Sequence, residues 1–121
     1  MALDFAIEDR RVGEDTHVIA VRGEIDLFTA PEFKQHVMAP VAAGSDRVIV
    51  DLTETTFIDS SSLGVLIGAH RRLKARGGRL LVACGTEAVV KTFRVTGLDG
   101  VFAVLPSLDE ALAQGREAEA A

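Results

Sequence analysis

The chain has 121 residues, of which 18 are acidic and 13 are lysine or arginine, so its formal net charge is −5 at pH 7. Hydrophobic residues make up 48% of the sequence and charged residues 26%, a balance typical of one soluble globular domain. The acidic balance and the lack of tyrosine and tryptophan argue against direct binding to nucleic acid.

The first quarter of the chain predicts a pair of strands. Leu3, Phe5 and Ile7 alternate with less apolar residues, which indicates an edge strand with one polar face. Residues 17–22 are apolar at both alternating positions and predict a buried strand. Because Gly13 falls in a turn between them, we expect the two strands to pair antiparallel.

The first helix has a clear predicted beginning and end. Thr29 and Glu32 have the spacing of a capping box, and Pro31 lies early in the first turn. Pro40 is expected to kink or end this helix, and Gly44 closes the segment.

Strands and helices alternate in the rest of the chain. Residues 48–52 predict a buried strand, residues 53–59 a loop, and residues 60–76 the clearest amphipathic helix, which ends at Gly77 and Gly78. The remaining predicted elements are a strand at 80–82, a helix at 86–96, a strand at 101–105, and a short helix capped by Ser107 that runs through Leu112.

This order predicts a single α/β domain over residues 1–114, followed by a flexible tail over residues 115–121. Strands separated by helices imply right-handed crossovers, so the sheet should be mixed and mostly parallel, with about five strands and four helices. The amphipathic first strand suggests that one face of the sheet is thinly covered.

Three consecutive serines begin the longest helix. Hydroxyl groups at a helix N-terminus commonly cap free backbone N–H groups, and this is the ordinary explanation for Ser60, Ser61 and Ser62. One cap needs only one hydroxyl, however, and Asp59 stands directly before them. A chemical role for a serine therefore stays open.

Two separated segments around these serines resemble a known family. Residues 57–68 (FIDSSSLGVLIG) look like the phosphoacceptor segment of bacterial anti-sigma factor antagonists, the single-domain members of the STAS family. Residues 23–26 (GEID) with Thr29 resemble the family's other signature, and residues 89–97 are similar to its later helix. The resemblance spans residues 3–114.

The resemblance implies a phosphorylation switch without catalysis. An unphosphorylated antagonist binds an anti-sigma factor that is also a serine kinase, and the sigma factor is released. The kinase then inactivates the antagonist at the serine after the motif aspartate, and a PP2C-type phosphatase restores it. The residues so implied are Ser60 as acceptor, with Ser61 and Ser62 as alternatives, and a partner-binding surface of Asp26, Asp59, Ser60, Ser61 and Gly64.

One position departs from the family pattern. Ser62 stands where the family usually has glycine, and we expect its side chain to occupy space that a partner would approach. Ser61 and Ser62 therefore stay open as alternative acceptors. The ordinary role of Asp26 is to cap the turn or helix that follows it.

Three other functions compete with the switch. An enzyme would need a base and an oxyanion hole for its serine nucleophile, and the sequence has no G-x-S-x-G elbow. A receiver-like protein would use Asp51 or Asp59 as acceptor, but the early acidic pair is missing. The alternative that stays open is a STAS accessory subunit of a membrane transport or lipid-trafficking ATPase complex.

The remaining reactive side chains suggest no cofactor. Cys84 is the only cysteine and is expected in the core, and His17 and His36 are isolated, without metal-ligand spacing. Acidic residues near the start and the lack of an apolar run of ~20 residues argue against a signal peptide and membrane insertion, so we expect a cytoplasmic protein. A basic run over residues 70–79 is either a solvated helix face or a contact for an acidic partner.

Overall fold

A computed structural model describes the backbone of residues 4–120 and the side chains of residues 4–114. The elements follow the predicted order. They are β1 (Ala6–Val12), β2 (Thr16–Ile25), α1 (Ala30–Ala42), β3 (Arg47–Ile58), α2 (Ser60–Ala75), β4 (Arg79–Ala83), α3 (Glu87–Thr96), a 3₁₀ turn (Leu98–Gly100), β5 (Ala103–Leu105) and α4 (Leu108–Ala120).

The five strands form one sheet in the order β1-β2-β3-β4-β5. β1 pairs antiparallel with β2, and every other pair is parallel. The predicted mixed α/β fold with four helices is therefore confirmed.

The two faces of the sheet are covered unequally, as predicted. The larger core lies on the face where α1, α2 and α3 pack, and it includes Phe33, Leu66 and Phe93. The other face is covered by α4 alone, through a small cluster around Ile49 and Ala111. The start of α4 was predicted correctly, because the Ser107 hydroxyl accepts a hydrogen bond from the backbone N–H of Glu110 at 3.1 Å.

Two predicted strand boundaries at the start of the chain and in its middle are wrong. β1 begins at Ala6 and continues through four exposed charged residues to Val12. An edge strand tolerates such residues because their charged side chains are in contact with solvent. Leu3, where the strand was predicted to begin, lies outside the described residues. The predicted loop at 53–59 is instead the second half of β3, which pairs with residues 22–25 of β2 through a register shift.

Two helix ends have clear steric causes. α1 continues two residues beyond Pro40, to Ala42, and Gly44 follows with a φ of +97°. After α2, Gly77 has a φ of +82°, and a Cβ at Gly78 would lie 2.4 Å from the backbone oxygen of Asp46. Glycine is therefore required at both positions after α2.

The last helix is longer than the sequence predicted. It was expected to end at Leu112, whereas its backbone runs to Ala120. That residues 115–121 form a flexible tail stays a prediction, since their side chains and residue 121 lie outside the described part of the chain.

Candidate functional site

The fold brings two signature segments to one edge of the sheet. β2 and β3 are parallel neighbours, and Ile25 stands opposite Ile58 at their carboxyl ends. The backbone N–H of Asp59 donates a hydrogen bond to the Ile25 oxygen at 2.9 Å. The turn that begins at Asp26 and the start of α2 at Ser60 consequently lie side by side.

Asp59, and not a serine, caps α2. Its Oδ1 accepts a hydrogen bond from the backbone N–H of Ser62 at 2.9 Å, and its Oδ2 accepts one from the Ser61 hydroxyl at 3.0 Å. Partial burial raises the pKa of Asp59, but the hydrogen bonds from Ser62 and Ser61 outweigh it, so the pKa lies below its usual value. The expectation that the serine hydroxyls cap the helix is wrong, because the carboxylate has taken that position.

The three serines have different environments. Ser60 and Ser61 are exposed, whereas Ser62 is fully buried; its hydroxyl makes no hydrogen bond of good geometry among the described residues, and its polar effect is to help lower the pKa of the nearby Asp59. Ser62 is therefore turned into the protein, and the expectation that it obstructs a partner is wrong. A kinase could reach its hydroxyl only if the first turn of α2 opened.

Asp26 organises its own turn. Its Oδ1 accepts hydrogen bonds from the N–H groups of Phe28 and Thr29 at 2.9 and 3.1 Å. The Thr29 hydroxyl can donate its one hydrogen to the carbonyl oxygen of Glu24 at 2.9 Å or to Asp26 Oδ1 at 3.2 Å, so it does not cap α1 and the predicted capping box does not form. The capping role of Asp26 is thus real, and its Oδ2 has no donor among residues 4–114.

Exposed apolar side chains flank these polar groups, and sequence reasoning missed them. Leu27 and Phe28 are 76% and 88% exposed, and Phe57, which stands opposite Glu24 in the sheet, is 49% exposed. An adjacent apolar pair inside a polar turn was the available signal. Gly64, one turn after Ser60, has open space where a side chain would stand, so bare backbone faces solvent there.

Away from this edge, two histidines converge that the sequence left isolated. His17 Nε2 lies 3.1 Å from Asp9 Oδ1, and His36 Nδ1 contacts the other oxygen of that carboxylate. The described residues contain no group of three or more His, Cys, Asp or Glu side chains able to hold a metal ion. Cys84 is buried as expected, and burial raises its pKa to about 11.

No helix in the described part of the chain is both long and apolar enough to cross a membrane.

Comparison with known proteins identifies the family. The STAS domain model matches residues 9–111. The anti-sigma-B factor antagonist of Listeria monocytogenes is 30% identical over 102 residues, which cover 84% of this chain and 90% of that protein.

Solved structures give the same result. An anti-sigma factor antagonist from Mycobacterium paratuberculosis superposes with a TM-score of 0.85 at 30% identity, over 93% of this chain and 95% of that one. The anti-sigma factor antagonist SpoIIAA in its unphosphorylated form has a TM-score of 0.79 at 26% identity, over 93% and 97% of the two chains. SpoIIAA has also been solved in a phosphorylated form. The chain is therefore a member of the STAS domain family.

Proposed function

We propose that this protein is an anti-sigma factor antagonist controlled by phosphorylation of Ser60. In the unphosphorylated state it binds an anti-sigma factor serine kinase, so that the sigma factor is released, and a PP2C-type phosphatase reverses the modification. It has no catalytic role and acts in the cytoplasm. The observation that carries the proposal is the exposed Ser60 hydroxyl at the start of α2, beside the Asp26 turn, in a chain similar to named antagonists.

The position of Ser60 favours it over the other two serines. The Ser61 hydroxyl donates to Asp59 Oδ2, and the Ser62 hydroxyl is buried. The Ser60 hydroxyl makes no hydrogen bond with any of the described residues, so it is free to enter a kinase active site. Ser60 is thus the one serine of the three that is both exposed and uncommitted.

The helix can hold a phosphate at this place. The backbone N–H groups of Ser60 and Ser61 have no acceptor within the described part of the chain, and they point along the positive end of a 16-residue helix. Phosphate on Ser60 can bond to these groups without displacing Asp59 from the N–H of Ser62. We therefore expect the fold to survive the modification.

The surface outside the helix changes strongly. A phosphoserine adds about −1.5 to −2 charges at neutral pH, next to the carboxylates of Asp26 and Asp59. Leu27 and Phe28 border the same surface and are available for apolar contact with a partner. An added dianion beside them would repel an acidic group of the partner and raise the desolvation cost of docking.

The test uses a kinase-type anti-sigma factor from the same genome. The purified kinase and ATP should add one phosphate to the wild-type chain, at Ser60 by mass mapping. Ser60→Ala should accept none and should bind constitutively, whereas the matched control Ser61→Ala should be phosphorylated and released as the wild type is.

Two outcomes contradict the proposal. Equal affinity of wild-type, Ser60→Glu and phosphorylated protein for the kinase would eliminate the switch. Retention of a transport ATPase component in place of any anti-sigma factor would favour the accessory-subunit alternative.

A further inference from the structure

A concave site lies at the opposite end of α2 from Ser60. A cavity of about 400 Å³ opens between the last turns of α2, the beginning of β4 and the segment that joins the 3₁₀ turn to β5. Its size falls in the range of small-molecule sites, which is roughly 300–1,000 Å³. The side chains that give it chemical character are His70, Lys74, Arg79, Asp99, Val101 and Phe102.

The cavity has an excess of positive charge in a chain that is acidic overall. Lys74 and Arg79 line it together with the imidazole of His70 and one carboxylate, that of Asp99. None of the three has a carboxylate within salt-bridge distance in the described residues, and Arg79 only reaches the backbone oxygen of Gln114 at 3.4 Å. Lys74 and Arg79 therefore carry two positive charges against the single carboxylate of Asp99, and neither is neutralised by a direct ion pair among the described residues.

Neighbouring charges add to the same field. Arg71 and Arg72, on the same helix, are exposed and likewise form no salt bridge within residues 4–114. The effect is visible at His70, where burial lowers the pKa and the charges of Lys74 and Arg71 lower it further. An anion placed beside His70 would relieve this repulsion.

The rest of the wall is apolar. Phe102 is buried with its ring 5.8 Å from the His70 ring, and Val101 at the rim is 46% exposed. The cavity thus combines a charged wall, suited to an anionic group, with an apolar wall, suited to a hydrocarbon or aromatic body.

We propose that this cavity binds a small phosphorylated molecule, with its phosphoryl group against Lys74, Arg79 and His70 and its apolar part against Val101 and Phe102. Lys74 is a mobile point charge and Arg79 offers a planar pair of N–H donors, the combination by which proteins hold phosphate groups. The site is at the opposite end of α2 from Ser60 and does not depend on the proposed partner switch.

The test follows the three histidines by NMR while phenyl phosphate is titrated into the wild-type protein. Only the His70 ring signals should move saturably, with its pKa raised by the bound anion, while His17 and His36 serve as internal references. Lys74→Gln should raise the apparent Kd for phenyl phosphate by at least about tenfold because it removes a charged hydrogen-bond donor. The matched control Arg72→Gln removes one charge outside the cavity and should change this Kd by less than about twofold.

Three results would overturn the proposal. Shifts that rise linearly with phenyl phosphate, or that move all three histidines together, would show a general salt effect. An equal loss of affinity in Arg72→Gln and Lys74→Gln would show diffuse attraction to the helix face. Stronger binding of a hexaglutamate peptide than of phenyl phosphate would make this surface a contact for an acidic protein.

Discussion

Replacing Asp26 separates the two roles that its carboxylate can have. Oδ1 accepts two backbone hydrogen bonds inside the turn, whereas Oδ2 receives none from residues 4–114. Asp26→Asn keeps an oxygen at the Oδ1 position and loses the charge, with an amide NH₂ at the Oδ2 position. Asp26→Ala removes both oxygens. The two variants therefore differ in stability if the turn matters, and agree in partner binding if the charge matters.

The expected stability change follows from the lost acceptor. In Asp26→Ala the backbone N–H groups of Phe28 and Thr29 lose their acceptor, but Asp26 is only partly buried and water can replace part of the interaction. A cost of about 1–2 kcal/mol is then expected, as for other lost caps. For a chain of this length about 1 kcal/mol shifts Tm by about 4 °C, so Tm should fall by about 4–8 °C. Asp26→Asn should stay within about 2 °C of the wild type.

The binding change is expected to be the same in both variants. Loss of a charged group at a protein interface weakens binding by about tenfold or more, which is about 1.4 kcal/mol. Thermal melts and a titration with the anti-sigma factor kinase on the same samples measure both quantities. If Asp26→Asn bound the kinase with wild-type affinity, the role of Asp26 would be limited to its own turn. If Asp26→Ala had the same Tm as the wild type, the hydrogen-bond argument would be refuted.

Three further changes test other parts of the structure. Ser62→Ala removes a buried hydroxyl that makes no hydrogen bond of good geometry in the described residues, so urea unfolding should show unchanged stability or a gain of up to about 1 kcal/mol; a loss above about 1 kcal/mol would mean that its interaction with Asp59 is a stabilising hydrogen bond. Phe28→Ser should weaken kinase binding by about tenfold without lowering Tm, while the similarly exposed Val95→Ser should leave binding unchanged. Cys84, with a pKa of about 11, stays a protonated thiol at pH 8, so iodoacetamide should label it only in denaturant; rapid native labelling would contradict its burial.

The sequence was sufficient to predict a helix or strand where the pattern that specifies it is local. The period of apolar residues in α2 and the pair Gly77 and Gly78 predicted a helix that ends where the structure ends it to within one residue. The capping role of Ser107 and the order of strands and helices also depend on short-range chemistry. Helix start and stop signals act within one turn, so they can be identified without the neighbouring elements where no other polar group competes, as at Ser107; at Thr29 the Glu24 oxygen competes for the hydroxyl and the capping box fails.

Errors arose where a distant element decides the outcome. Residues 53–59 were predicted to form a loop, but β2 supplies the hydrogen bonds that hold residues 53–58 as a strand, and the buried Thr55 hydroxyl donates to the Val21 oxygen at 2.9 Å. His17 and His36 meet on Asp9 although they lie on different elements. No periodicity in the sequence records such tertiary contacts.

The sequence placed the candidate residues at the start of α2 but did not show which of them caps the helix. Asp59, Ser60 and Ser61 all lie at the start of α2, as the resemblance implied, yet the sequence could not say which of four adjacent polar residues would cap the helix. A helix turns by about 100° per residue, so consecutive hydroxyls point in different directions, and the direction of Ser62 depends on where α2 rests on the sheet. That packing is fixed by Leu63 and Leu66, which are buried.

This division explains how a modification at α2 can act on a partner and spare the fold. Because Asp59 already satisfies the N–H of Ser62, the helix does not rely on the Ser60 hydroxyl for its cap. Because Leu63 is buried one turn away, the orientation of α2 is set by the core and not by the exposed first residue. A phosphate on Ser60 therefore adds charge where no native contact has to break. Under the proposed switch, its main effect is therefore on a partner that binds over Asp26, Leu27 and Phe28.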